Sequence, residues 1–150
     1  MSPWEIVEEQ ISAIYTACLD MDFLYVNTPY SYESGHQTIK YPQETLSDKN
    51  GNCIDLTVMF ASAFERLGMH PRIVLDFINS HAFVGCHIWK DTEECIYLEG
   101  TALGSSQTAI EAIRKGQEKF LELKELDHPI YPIIVDVHKK RKEGVYPVPF

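Results

Sequence analysis

The sequence predicts an α+β fold in which a buried helix packs on a small antiparallel sheet. Three observations carry this expectation. Residues 53–67 (CIDLTVMFASAFERL) are apolar almost all round, the mark of a helix enclosed by the fold. Three short runs rich in β-branched and aromatic residues follow, over 72–78, 81–89 and 95–99. Helical patterns flank this block on both sides.

Taken in order, Trp4, Ile6, Val7, Ile11, Ile14, Tyr15 and Leu19 recur at near-helical spacing behind Pro3, which a first helical turn tolerates. Residues 27–49 are rich in Pro, Ser, Tyr and Gly without a sustained period and read as a long ordered surface segment. The buried helix has a clear start, with Asn52 as its cap and Asp55 completing a capping-box pattern, and a clear stop at Gly68 and Pro71. A turn over 90–93 separates the second and third strands, and 100–106 reads as loop. Residues 107–126 have helical composition, with Ala109, Ile110, Ile113, Phe120 and Leu123 as the apolar stripe. A Val/Ile run lies in the proline-punctuated tail. No internal repeat or domain boundary is visible, so residues 1–150 read as a single domain.

Bulk properties narrow the function classes. A formal net charge of -9 argues against nucleic acid as a partner, which demands clustered Lys and Arg. The one basic run, Lys139 to Lys142, is short and reads as a solvated face. No apolar stretch approaches the ~20 residues that span a membrane, and no signal peptide is evident, so a cytoplasmic protein without membrane contact is expected. Cys18, Cys53, Cys86 and Cys95 lack disulfide or zinc spacing and read as free thiols. Cys86 and His87 are adjacent on a strand and point to opposite faces, so no metal is expected there, and no cofactor.

Cys53 falls at the first turn of the buried helix, where unpaired N–H groups and the helix dipole favour a thiolate nucleophile. A small buried hydrophobe is the plainer reading of the same position. His81 opens the second strand and shares a face with Phe83, Gly85, His87 and Trp89. His87 reads more plainly as a hydrogen-bonded sheet histidine than as a cleft residue. Glu99 closes the third strand. If 83 pairs with 99, or 81 pairs directly with 99, His81 and Glu99 share a face; a slip of one residue separates them.

These residues also resemble a known family. The stretch 46–56, with Gly51, Cys53 and Asp55, is similar to the nucleophile motif of transglutaminase-like domains, k-x-G-x-C-x-[DE]. His81-Ala82-Phe83-Val84 resembles their H-A-[WF]-V motif, and Glu99-Gly100-Thr101 their D-x-T motif, in the same chain order. It is the ordered set, more than any one motif, that carries the likeness. The narrower resemblance, over roughly residues 30 to 150, is to bacterial transglutaminase-like cysteine peptidase domains in or beside very large helicase-related proteins. Those carry G-Q-x-[IV]-[RK]-x-P before the nucleophile, beside Gly35-His36-Gln37-Thr38-Ile39-Lys40-Tyr41-Pro42 here. Two departures stand out: Glu99 where the wider family usually has Asp, and Ile54 where papain and tissue transglutaminases have Trp.

The resemblance implies a papain-like fold and a thiol-dependent acyl-transfer enzyme, a cysteine peptidase, deamidase or transglutaminase, acting on a protein or peptide carbonyl. It implies Cys53 as nucleophile, His81 as base and Glu99 as the residue orienting His81. Gln37, with the Cys53 amide, is the oxyanion candidate and Gln43 its runner-up. Membership of a larger multidomain protein is a further expectation. The competing reading is a catalytically silent interaction module that keeps the fold.

Overall fold

The structure, a computed structural model, describes residues 1–26, 38–89 and 92–147. α1 (Pro3–Asp20) starts with a full capping box: the Ser2 hydroxyl accepts from the Glu5 amide at 3.3 Å, and the Glu5 carboxylate accepts from the Ser2 amide at 2.7 Å. Its Val7, Ile11, Tyr15 and Cys18 turn inward. β1 (Leu24–Tyr25) and β2 (Asn50–Gly51) then form a short parallel ladder that sequence patterning did not reveal. Between them lies α2 (Pro42–Asp48), inside the segment read as irregular. Proline in its first turn and a left-handed Lys49 at its end (φ 56°) delimit two turns of helix, too short to display a period.

α3 (Cys53–Arg66) is the enclosed helix that the sequence predicts. Leu56, Phe60 and Phe64 are wholly buried, and side chains of this kind contribute about 1.5–3 kcal/mol each. That anchorage fixes the helix whose first residue is Cys53. β3 (Pro71–Asp76), β4 (His81–His87) and β5 (Cys95–Leu98) follow, and the Val/Ile run of the tail returns as β6 (Ile133–Asp136). The sheet order is β5-β4-β3-β6, antiparallel throughout. One face, through Val84, Cys86, Ile96 and Leu98, packs on α1 and α3. The other, through Val74, Phe83, Cys95 and Tyr97, packs on Phe120 and Leu123.

Where the sequence predicts loop over 100–106, Gly100–Ser105 wind into a 3-10 helix. α4 (Ala109–Glu125) then lies along the β5 edge. A Cβ on Gly116 would stand 2.6 Å from the Tyr97 carbonyl carbon and 2.7 Å from the Leu98 nitrogen, so only glycine permits this approach. The Gln117 side chain accepts from the Tyr97 amide at 3.0 Å, and the Ala112 carbonyl accepts from the Glu99 amide at 3.0 Å. α4 thereby blunts an edge that would otherwise offer unpaired backbone groups. Its buried stripe is Ala109, Ala112, Ile113, Gly116 and Leu123, whereas Ile110 is 63% exposed. The expected stripe holds at Ala109, Ile113, Phe120 and Leu123 and errs at Ile110, because close packing on a strand selects small residues such as Ala112 and Gly116.

α5 (Val137–Lys142) carries the basic run. Most of it is solvated, but Arg141 donates twice to the Glu65 carboxylate, both at 2.9 Å, tying α5 to α3. All four cysteines are buried free thiols. Among the described residues no helix is long and apolar enough to cross a membrane.

Candidate active site

Cys53 occupies the first position of α3, behind the Asn52 cap. Asn52 Oδ1 accepts from the Asp55 amide at 2.9 Å, and Asp55 Oδ2 accepts from the Asn52 amide at 3.2 Å. The other Asp55 oxygen accepts from the Lys40 amide at 2.9 Å, so this buried carboxylate ties the incoming chain to the helix start. Gly51 makes room for it: a Cβ there would lie 2.8 Å from the Asp55 Cβ. Asp55 is therefore a cap, as the sequence reading favoured. Cys53 itself is 7% exposed, packed with Ile54 and Ala82, and its Sγ lies 4.0 Å from the Ser80 carbonyl oxygen.

His81 reaches this thiol from the start of β4. The register pairs Val84 with Leu98 and Gly85 with Tyr97, which sets Phe83 opposite Glu99 and puts His81 diagonally across from it. This is the first of the two registers that bring the pair together. His81 Nε2 lies 2.7 Å from Glu99 Oε2, and the ring also hydrogen-bonds the Cys53 thiol. Burial works against a charged ring, but the bonds to Cys53 and Glu99 outweigh it and raise the His81 pKa to about 9.

Glu99 is 2% exposed. Burial alone would raise its pKa; His81, the Thr101 hydroxyl and the Lys119 ammonium together hold it below the ordinary carboxylate value. Thr101 Oγ1 donates to Glu99 Oε1 at 2.5 Å, and Lys119 Nζ stands 3.9 Å from Oε2. The Ala112 carbonyl fixes the Glu99 backbone from α4. Neither Lys119 nor Ala112 was anticipated. Nothing local marks them, because their relevance depends on where α4 docks.

Gln37 lies outside the described residues. Gln43 is exposed on α2. His87 belongs elsewhere: Nδ1 meets the Thr92 carbonyl at 2.7 Å and Nε2 meets Asp136 Oδ2 at 3.0 Å, which makes it the hydrogen-bonded sheet histidine favoured on sequence grounds. Among the described residues no cluster of His, Cys, Asp and Glu could hold a metal ion.

A thiol beside an imidazole can pass it a proton, and a carboxylate on the far nitrogen steadies the resulting cation. Fold and site thus define an α+β protein whose cysteine-bearing helix abuts an antiparallel sheet carrying histidine and acid. The chain belongs to the transglutaminase-like superfamily, whose family model matches residues 6–101, a span that includes Cys53, His81 and Glu99. No curated protein and no solved structure gives a match.

Proposed function

We propose that this chain is a thiol-dependent acyl-transfer enzyme acting on a peptide or carboxamide carbonyl. Cys53 attacks the carbonyl carbon, and His81 takes the thiol proton and returns it to the departing amine. Glu99 holds the imidazole in place and balances its charge. The Cys53 amide, at the first position of α3, is an oxyanion donor, with Gln37 as a candidate second donor. Water as acceptor makes the reaction hydrolysis or deamidation; an amine makes it transamidation. The observation that carries this reading is the 2.7 Å contact between His81 and a buried Glu99, with Cys53 as the ring's second partner. The narrower likeness to cysteine peptidase domains of large helicase-related proteins belongs to the same proposal.

A second reading is favoured by the small exposure of Cys53, 7%, which suits a silent interaction module that keeps the fold. Iodoacetamide labelling against pH separates the two. For the enzyme, Cys53 alkylates rapidly below pH ~7, and His81→Ala slows it at least tenfold. Labelling no faster than that of an ordinary thiol sinks the acyl-transfer reading.

A further inference from the structure

The two oxygens of Glu99 are shared unequally. Oε1 accepts from the Thr101 hydroxyl at 2.5 Å, while Oε2 serves both His81 Nε2 at 2.7 Å and the Lys119 ammonium at 3.9 Å. At 3.9 Å Lys119 is too far to donate a hydrogen bond, so it leaves the His81 bond intact and acts as a charge. The two distances put it no more than about 7 Å from His81 Nε2, where a charge acts appreciably on an imidazolium enclosed by protein.

The place of Lys119 on α4 is not what packing would choose. Ala112, Gly116, Lys119 and Leu123 recur at helical spacing on the side that meets the sheet, and the other three are buried. Lys115 and Lys124, on other faces of the helix, are exposed. Gly116 brings this side against the backbone of Tyr97 and Leu98, and the Ala112 carbonyl accepts from the Glu99 amide at 3.0 Å. The docking that fixes the Glu99 backbone therefore also delivers the ammonium. With its side chain 42% exposed, Lys119 adds little to stability through this pair. Its field falls instead on a histidine and a carboxylate whose charges the proposed reaction uses.

The remaining charged groups around the pair are few. α3 presents Cys53, the second partner of the His81 ring. β3 presents Asp76, opposite His81 in the ladder, with both oxygens occupied by Ile78 and Asn79. Glu122 lines a cavity with Asp76 and Lys119. Burial opposes a charged His81 most, and Lys119 opposes it too, against the bonds from Cys53 and Glu99.

We propose that Lys119 is a positioning residue of the triad: by drawing on the Glu99 oxygen that holds His81, it limits how tightly the imidazolium is held and keeps the ring able to act as a base. The proposal rests on the acyl-transfer reading above. Once Cys53 is acylated, His81 must be neutral to take a proton from water. The water oxygen bonds the acyl carbon, the carbon–sulfur bond breaks, and His81 returns the proton to the thiolate. An imidazolium held too firmly delays that step.

Lys119→Met removes the charge at similar length, and Lys119→Arg keeps it. In the methionine variant the His81 midpoint, followed by NMR, should rise by about half a unit. The rising limb of p-nitrophenyl acetate turnover should move to higher pH with it, so that the rate on that limb falls about threefold. Lys119→Arg should restore the midpoint of the intact protein. A midpoint unmoved in Lys119→Met, or displaced equally in Lys119→Arg, overturns the proposal. So does slower turnover with an unmoved midpoint, the mark of a disturbed α4 alone. Hydrolysis no faster than that by an ordinary thiol, with the midpoint still displaced, supports the coupling and removes the acyl-transfer reading. Fast hydrolysis with an unmoved midpoint does the reverse.

Discussion

β4 carries a histidine at each end, on the same face, and each meets a carboxylate. His81 contacts Glu99 at 2.7 Å, and His87 contacts Asp136 at 3.0 Å. The two differ in what the second nitrogen does. His87 gives it to the Thr92 carbonyl at 2.7 Å, closing the ring into a strut between the β4–β5 connection and the start of α5. His81 turns its second side to the Cys53 thiol. A histidine–carboxylate pair is thus no sign of chemistry in itself, since sheets use such pairs to satisfy buried polar groups. What distinguishes His81 is a partner able to lose a proton and become a nucleophile.

The largest effect expected from breaking this contrast comes from Glu99→Gln. It removes the charge that steadies the imidazolium, so acyl transfer from p-nitrophenyl acetate should fall about 10²- to 10³-fold. The His81 titration midpoint, about 9 in the intact protein, should drop by more than one unit when followed by NMR. An unmoved midpoint would mean that Glu99 does not hold the ring. His87→Ala should act on the opposite ledger of properties. It strips a partner from both Asp136 and the Thr92 carbonyl, so denaturant unfolding should show a loss of about 2 kcal/mol. Cys53 alkylation should stay at its normal rate, and slowing comparable to that of His81→Ala would erase the distinction between the two histidines.

The contrast also marks where sequence reading reached and where it stopped. Cys53 was legible because two local signals coincide, an Asn52–Asp55 capping box and an apolar run that begins at once behind it. The His81–Glu99 register was legible only as a short set of alternatives, two that keep the pair on one face and a one-residue slip that separates it. Choosing among them required the pairing of Val84 with Leu98. What supports Glu99 from outside the strand was not legible at all. Lys119 and the Ala112 carbonyl act through the docking of α4, and the residue that allows that docking is Gly116, whose value lies in the side chain it lacks. Ile110 misled for the same reason: hydrophobicity marks what can be buried, while close approach to a strand selects what is small.

The smallest effect is a pH dependence of stability, and its sign follows from the two shifts. His81 is raised from 6.5 to about 9, so its contribution is complete below pH 6.5 and disappears as pH climbs through about 9. Glu99 is held below its ordinary 4.5, so its contribution is complete above pH 4.5 and disappears as pH falls through the depressed value. The pair therefore stabilises most between about pH 4.5 and 6.5. Unfolding free energies of the intact protein and of Glu99→Gln, measured from pH 4 to 10, should differ most in that window and converge towards pH 10. Glu99 is almost wholly enclosed, so salt should screen this difference only weakly, unlike that of an exposed pair such as Lys140 with Glu143. A difference that grows instead between pH 7 and 10 would place the proton on the wrong member of the pair and undo the assignment of His81 as the cationic partner.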